Sequence, residues 1–148
     1  MHLPVAHYPQ EQKSTCLPAC FRMVLSYLRI EADELSLSRR LGTGAGGTPT
    51  DNFAAVEIPG VSIIAQHMDV DRIRAFLHAG QPVVVYLYTE PLPYWEVVSA
   101  HAVVVVGYEG NHFLVNDPMF EDAPKQIDTE TFLKAWDMFD DFGIVIQK

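Results

Sequence analysis

The hydrophobic period of the chain changes near its middle, and that change restricts the fold more than any other feature. Between Cys16 and Leu28 the residues Leu17, Cys20, Phe21, Val24, Leu25 and Leu28 recur at steps of three and four. That is the repeat of a helix with one buried face. Ser14 and Thr15 are candidate N-caps, and Pro18 falls in the first turn, where its missing N–H breaks no helical hydrogen bond. Further helices are predicted from about Asp33 to Leu41, from a Thr50-Asp51 cap through Val56, and after Asp69, where Val70, Ile73, Phe76 and Leu77 share a stripe. Val61 to His67 reads as a strand. Beyond it the apolar runs are short and β-branched or aromatic: Val83 to Tyr88, Ala102 to Val106, Phe113 to Val115, and Ile144 to Ile146. Tyr108-Glu109-Gly110-Asn111 carries hairpin-turn chemistry between two of them. Helices first and strands after them predict an α+β architecture, with the N-terminal helix packed on a mostly antiparallel sheet.

A chain of 148 residues is large enough to bury one core without covalent staples, so one domain over 1–148 is expected. The net charge of −9 comes without an acidic run and would repel phosphate backbones, which argues against a nucleic-acid partner. No stretch approaches the roughly 18 to 20 apolar residues of a membrane span, and no signal peptide is evident. The two cysteines lie four apart in a helical segment, where a disulfide closes poorly, so reduced thiols in a cytoplasm are expected. Neither His-x-x-x-His nor Cys-x-x-Cys occurs, and no metal is expected. The run Gly42 to Gly47 is followed by Thr48-Pro49, not by the Lys-Ser or Lys-Thr of a phosphate-binding loop, and is read as a flexible surface loop.

The chemistry concentrates on a few residues. Cys16 sits at a helix N-terminus, where unpaired backbone donors and the helix dipole favour a thiolate. Cys20, one turn on, shares the apolar face of Val24 and Leu25 and reads as packing. His101 opens the run Ala102 to Val106, and Asn116-Asp117-Pro118 ends the next one. A hairpin between the runs brings His101 and Asp117 to the same end of the sheet, as base and orienting carboxylate. An oxyanion donor is then needed beside the Cys16 backbone N–H, and Gln10 or Gln12 supplies it. His67, His78 and His112 lack such company and are read as surface or packing groups. The segment Thr89 to Ser99, with Pro91, Pro93, Tyr94 and Trp95, is longer than a tight turn. It precedes His101, so Tyr94 and Trp95 are candidate substrate contacts on the cleft rim.

These residues resemble the papain-like peptidases that process double-glycine leader peptides, cysteine peptidase family thirty-nine, best known as N-terminal domains of bacteriocin-exporting ABC transporters. The resemblance rests on Gln10, Cys16, Ala19, the helix Phe21 to Leu28, His101 to Gly107, and Asp117-Pro118, with Gly47-Thr48 and Gly80 to Val85 between them. It implies a papain-like fold, Cys16 as nucleophile, His101 and Asp117 completing a triad, Gln10 as the oxyanion residue, a peptide or protein substrate, and no cofactor. The chain departs from the family in carrying Leu17-Pro18 where glycine usually follows the cysteine. It also lacks the transporter's membrane and ATPase domains, so a stand-alone peptidase domain is the expectation. The same residues would serve an acyltransferase, a transglutaminase-like cross-linker or an amidase. An idle peptide-binding module is the reading from another class, and the retained Cys16 ranks it last.

Overall fold

The computed structural model describes residues 1–49, 52 and 56–148. The predicted helix from Thr50 through Val56 lies almost wholly outside them. The described elements are α1 Cys16–Tyr27, α2 Glu34–Leu41, β1 Ser62–His67, α3 Val70–His78, β2 Val83–Tyr88, β3 Ala100–Glu109, β4 His112–Asn116, β5 Lys125–Asp128, α4 Thr129–Asp137 and β6 Phe142–Gln147. The strands form one six-stranded sheet in the order β1-β6-β2-β3-β4-β5, with every neighbouring pair antiparallel. The α+β architecture read from the sequence is the one observed. β5 and α4 were not predicted, because Lys125-Gln126-Ile127-Asp128 is too short and polar to register as a strand.

The unbroken valine runs of β2 and β3 follow from their central places in the sheet. Residues 82–87 and 101–107 are all buried, so neither strand has a face free for polar residues. α1 packs on β3 and on α2, and α4 packs on β2. The face that α1 buries carries Leu17, Phe21, Met23, Val24 and Leu25, each fully buried. At about 1.5–3 kcal/mol for each such side chain, this face, rather than intrinsic helix propensity, holds α1 in place.

The N-terminal ten residues form a strap along β3 that ends at the cleft. The Tyr108 N–H donates to Met1 O at 3.0 Å and the Leu3 N–H to Val106 O at 2.8 Å. Farther along, the Asn116 side chain donates to Val5 O at 3.2 Å and the Gln10 N–H to Pro118 O at 2.7 Å. The strap lies so close to β3 that a Cβ on Gly107 would stand 2.3 Å from Met1 O. Only glycine leaves that backbone room.

Candidate active site

Cys16 is the first residue of α1 and half-buried, with Thr15 in the N-cap position. The sequence offers Thr15 as a cap, but its hydroxyl instead donates to Gln12 O at 2.9 Å and accepts from the Gln12 N–H at 3.1 Å. No side chain caps α1. The other three described helices each have an aspartate cap, Asp33, Asp69 and Asp128, bonded to an N–H of the first turn. Free donors at the α1 end are therefore available to the sulfur and to anything reacting with it. Burial pushes the Cys16 thiol up, but the hydrogen bond and charge of His101, with the Ala102 and Leu17 N–H groups, outweigh it and bring the thiol below its ordinary value. Cys20 is fully buried in the core, and burial with the nearby Cys16 and Asp117 charges pushes its thiol well up.

His101 is the second residue of β3, and its Nε2 bonds Asp117 Oδ1 at 2.6 Å. That bond fixes Nε2–H as the donor and leaves Nδ1 for the Cys16 sulfur. Burial pulls the imidazolium down, but Asp117 and Cys16 together raise it to about 9. Burial likewise pushes the Asp117 carboxyl up, and the bonds from His101, Trp95 and the Met119 N–H overcome it, leaving it below the usual carboxylate range.

A β-bulge brings these two side chains onto one face. β3 and β4 pair Gly107 with Leu114 and then Val105 with Val115, leaving Val106 as an extra residue. Beyond Val104–Asn116 the next position opposite Asp117 is Val103, which shares the face of His101 in the two-residue alternation. Without the extra residue Asp117 would lie opposite Val104, on the other face. The bulge is stitched to the strap, since the Val106 carbonyl accepts the Leu3 N–H and Gly107 admits the Met1 backbone.

Gln10 sits where the strap meets the turn after Asp117. Its Nε2 donates to Gln12 O at 2.7 Å and to Lys13 O at 3.1 Å, while its buried Oε1 has no protein partner. The amide nitrogen thus faces two carbonyls of the loop leading into α1. The next residue is anchored too: the Glu11 N–H donates to both oxygens of the buried Glu34, at 3.1 and 2.9 Å.

Cys16 and His101 open into a cleft of about 790 Å³. Lys13 and Ser14 line it, together with Ala45, Gly46 and Gly47 and with Trp95, Val97 and Phe120. The glycine-rich run is therefore part of the cleft, as a turn closed by paired Gly44 and Gly47 backbone bonds at 3.0 Å, where the sequence suggested only a surface loop. Tyr94 and Trp95 line the same cleft and also reach inward, the Tyr94 hydroxyl donating to Asp117 Oδ2 at 3.0 Å and Trp95 Nε1 at 2.8 Å. Phe120 escaped sequence reasoning; its signal would have been an aromatic residue in the turn directly after Asp117-Pro118. His67, His78 and His112 are exposed and away from this cleft. Among the described residues no cluster of His, Cys, Asp and Glu could hold a metal ion, and no helix is long and apolar enough to cross a membrane.

Residues 2–143 match the model of the Peptidase C39 like family. A search among curated proteins finds no match. Among solved structures, one described as a C39-like peptidase from Bacillus anthracis superposes with a TM-score of 0.79 at 17% identity, covering 99% of this chain and 97% of that one. The peptidase domain of Streptococcus ComA, a bifunctional ABC transporter of a quorum-sensing pathway, gives 0.76 at 18% identity, over 95% and 96% of the two chains. A double-glycine motif protease from an AMS/PCAT transporter, in complex with its leader peptide, gives 0.75 at 18%, over 99% and 93%. At these identities the superpositions establish the shared fold.

Proposed function

The chain belongs to the C39-like peptidase family, and from that premise we propose that it is a cysteine peptidase with Cys16 as nucleophile, His101 as base, Asp117 orienting His101, and Gln10 an oxyanion donor. The observation that carries the reading is the continuous chain from the uncapped end of α1 through His101 to the buried Asp117 carboxylate. The lowered thiol and the imidazole raised to about 9 both favour the thiolate and imidazolium form of the pair.

The thiolate attacks the scissile carbonyl carbon, and the carbonyl electron pair moves onto oxygen. The Cys16 N–H and one Gln10 amide hydrogen, released from Gln12 O or Lys13 O, hold that oxyanion. When the tetrahedral adduct collapses, the C–N bond breaks and the imidazolium Nδ1–H protonates the leaving amine. Neutral His101 then takes a proton from water as it attacks the thioester, releasing the acid and the Cys16 sulfur. Asp117 keeps the Nε2–H tautomer throughout.

A leader peptide ending in two glycines is the proposed substrate, supported by the double-glycine protease that shares this fold. Small residues suit a cleft whose wall at Ala45-Gly46-Gly47 presents mostly backbone. We take residues 1–148 as one peptidase domain acting where both thiols stay reduced, as in a cytoplasm. The test is peptide-library cleavage read by mass spectrometry, with added amine to reveal acyl transfer. Cleavage after small residues that disappears in Cys16→Ala is expected; cleavage that persists in Cys16→Ala overturns the reading.

A further inference from the structure

We propose that Tyr94 and Trp95 are positioning residues that lock the Asp117 carboxylate in the plane His101 requires, acting on turnover and not chiefly on substrate affinity. The inference rests on the triad reading above.

Asp117 is fully buried and accepts four hydrogen bonds. Oδ1 takes His101 Nε2 at 2.6 Å and the Met119 N–H at 3.0 Å; Oδ2 takes the Tyr94 hydroxyl at 3.0 Å and Trp95 Nε1 at 2.8 Å. Two donors on each oxygen use the usual accepting capacity of a carboxylate and leave it no alternative rotation. Those on Oδ2 come from consecutive residues of one loop. That loop is tied at its base by the fully buried Thr89, whose hydroxyl donates to Val97 O at 2.6 Å and accepts the Ser99 N–H at 2.7 Å.

The rings are held as firmly as the loop. Phe120 meets Tyr94 and Trp95 edge-on, at centroid distances of 5.3 and 5.4 Å, and Lys125 Nζ lies 5.5 Å from the Tyr94 ring and 5.0 Å from Phe120. Trp95 also packs at 4.7 Å on the His101 ring, so one side chain touches both partners of the bond it protects. Burial and Asp117 push the Tyr94 hydroxyl upward, keeping it a donor through the working range. The titratable groups facing this site are His101 from β3, Tyr94 from the loop, Cys16 and Cys20 from α1, and Lys125 from β5 behind the rings.

The experiment is the pH profile of Cys16 alkylation, which needs no substrate, in the wild type and in Tyr94→Phe, Trp95→Phe and their double variant. Each change keeps a ring against Phe120 and removes one donor; near-UV circular dichroism verifies the fold. With the carboxylate free to turn, the His101 bond weakens, the imidazolium stabilises the thiolate less, and the labelling midpoint rises by about half a pH unit or more in the double variant. On a cleaved peptide, kcat falls about tenfold with KM within about twofold. A raised KM with unchanged kcat and labelling midpoint overturns the proposal and makes the loop a substrate contact, and an unchanged double variant overturns it as well. A wild type without a depressed Cys16 midpoint instead sinks the triad reading itself.

Discussion

On the sheet side of the cleft the groups that carry charge at rest are already satisfied. Asp117 is fully buried with four donors, and His101 is held between Asp117 and Cys16 with the Trp95 ring against it. The helix side is built differently. α1 alone among the described helices has no side-chain cap, and Gln10 has a buried oxygen without a protein partner and a nitrogen given to two loop carbonyls. The contrast follows the timing of the charge. In the proposed mechanism the carboxylate and imidazolium precede the substrate and call for a fixed environment, whereas the oxyanion would form only during turnover and call for donors that can be released to it.

Breaking the satisfied side should have the largest effect. Asp117→Ala strands the Tyr94 hydroxyl, the indole N–H and the Met119 N–H in the interior and removes the orienting group from His101. A loss of about 10⁴-fold in kcat is expected, with about 2–4 kcal/mol of stability, measured by kinetics and denaturant melts. Stability lost without activity would mean that His101 is oriented by something else.

On the helix side, if Gln10 is the oxyanion donor proposed above, Gln10→Ala should lower kcat about 10²-fold with little change in KM, because such a donor acts mainly in the transition state. Should stability fall while kcat holds, the bonds to Gln12 and Lys13 would be the whole of its role. The smallest effect concerns pH. His101 stands at about 9, above its ordinary 6.5, so its stabilisation is complete below pH 6.5 and is lost as pH rises through 9. Asp117 lies below its ordinary 3.8, so its contribution is present above that value and lost as pH falls through the folded one. Both act fully between about pH 3.8 and 6.5. The lowered Cys16 thiol titrates in the opposite sense and offsets this loss, so thermal melts should show Tm declining as pH rises above 6.5 in Cys16→Ala, and declining less when His101→Gln is added; equal declines would assign the titration to another group.

Much of this was legible in the residues, and the misses have physical causes. α1 was readable because its stripe obeys one period over three turns, and the central strands because burial on both faces leaves continuous valine runs. β5 was not, since an edge strand of four residues carries too little pattern. Tyr94 and Trp95 line the cleft, but their bonds to Asp117 were not foreseen. The direction in which a loop side chain turns depends on what packs behind it, here Phe120 and Lys125.

By itself, the sequence determined α1 and the central strands, the placement of Cys16 at a helix end with Cys20 inside, and the pairing of His101 and Asp117 at one end of a hairpin. Those features follow from periodicity and turn chemistry, which are local. It could not decide which face Asp117 would share. A one-residue change of register reverses the side-chain face, and that residue, Val106, is held out of the ladder by a strap from the other end of the chain. Gly107 marks the place in the sequence, but only with Met1 and Leu3 laid across it does the glycine acquire its reason.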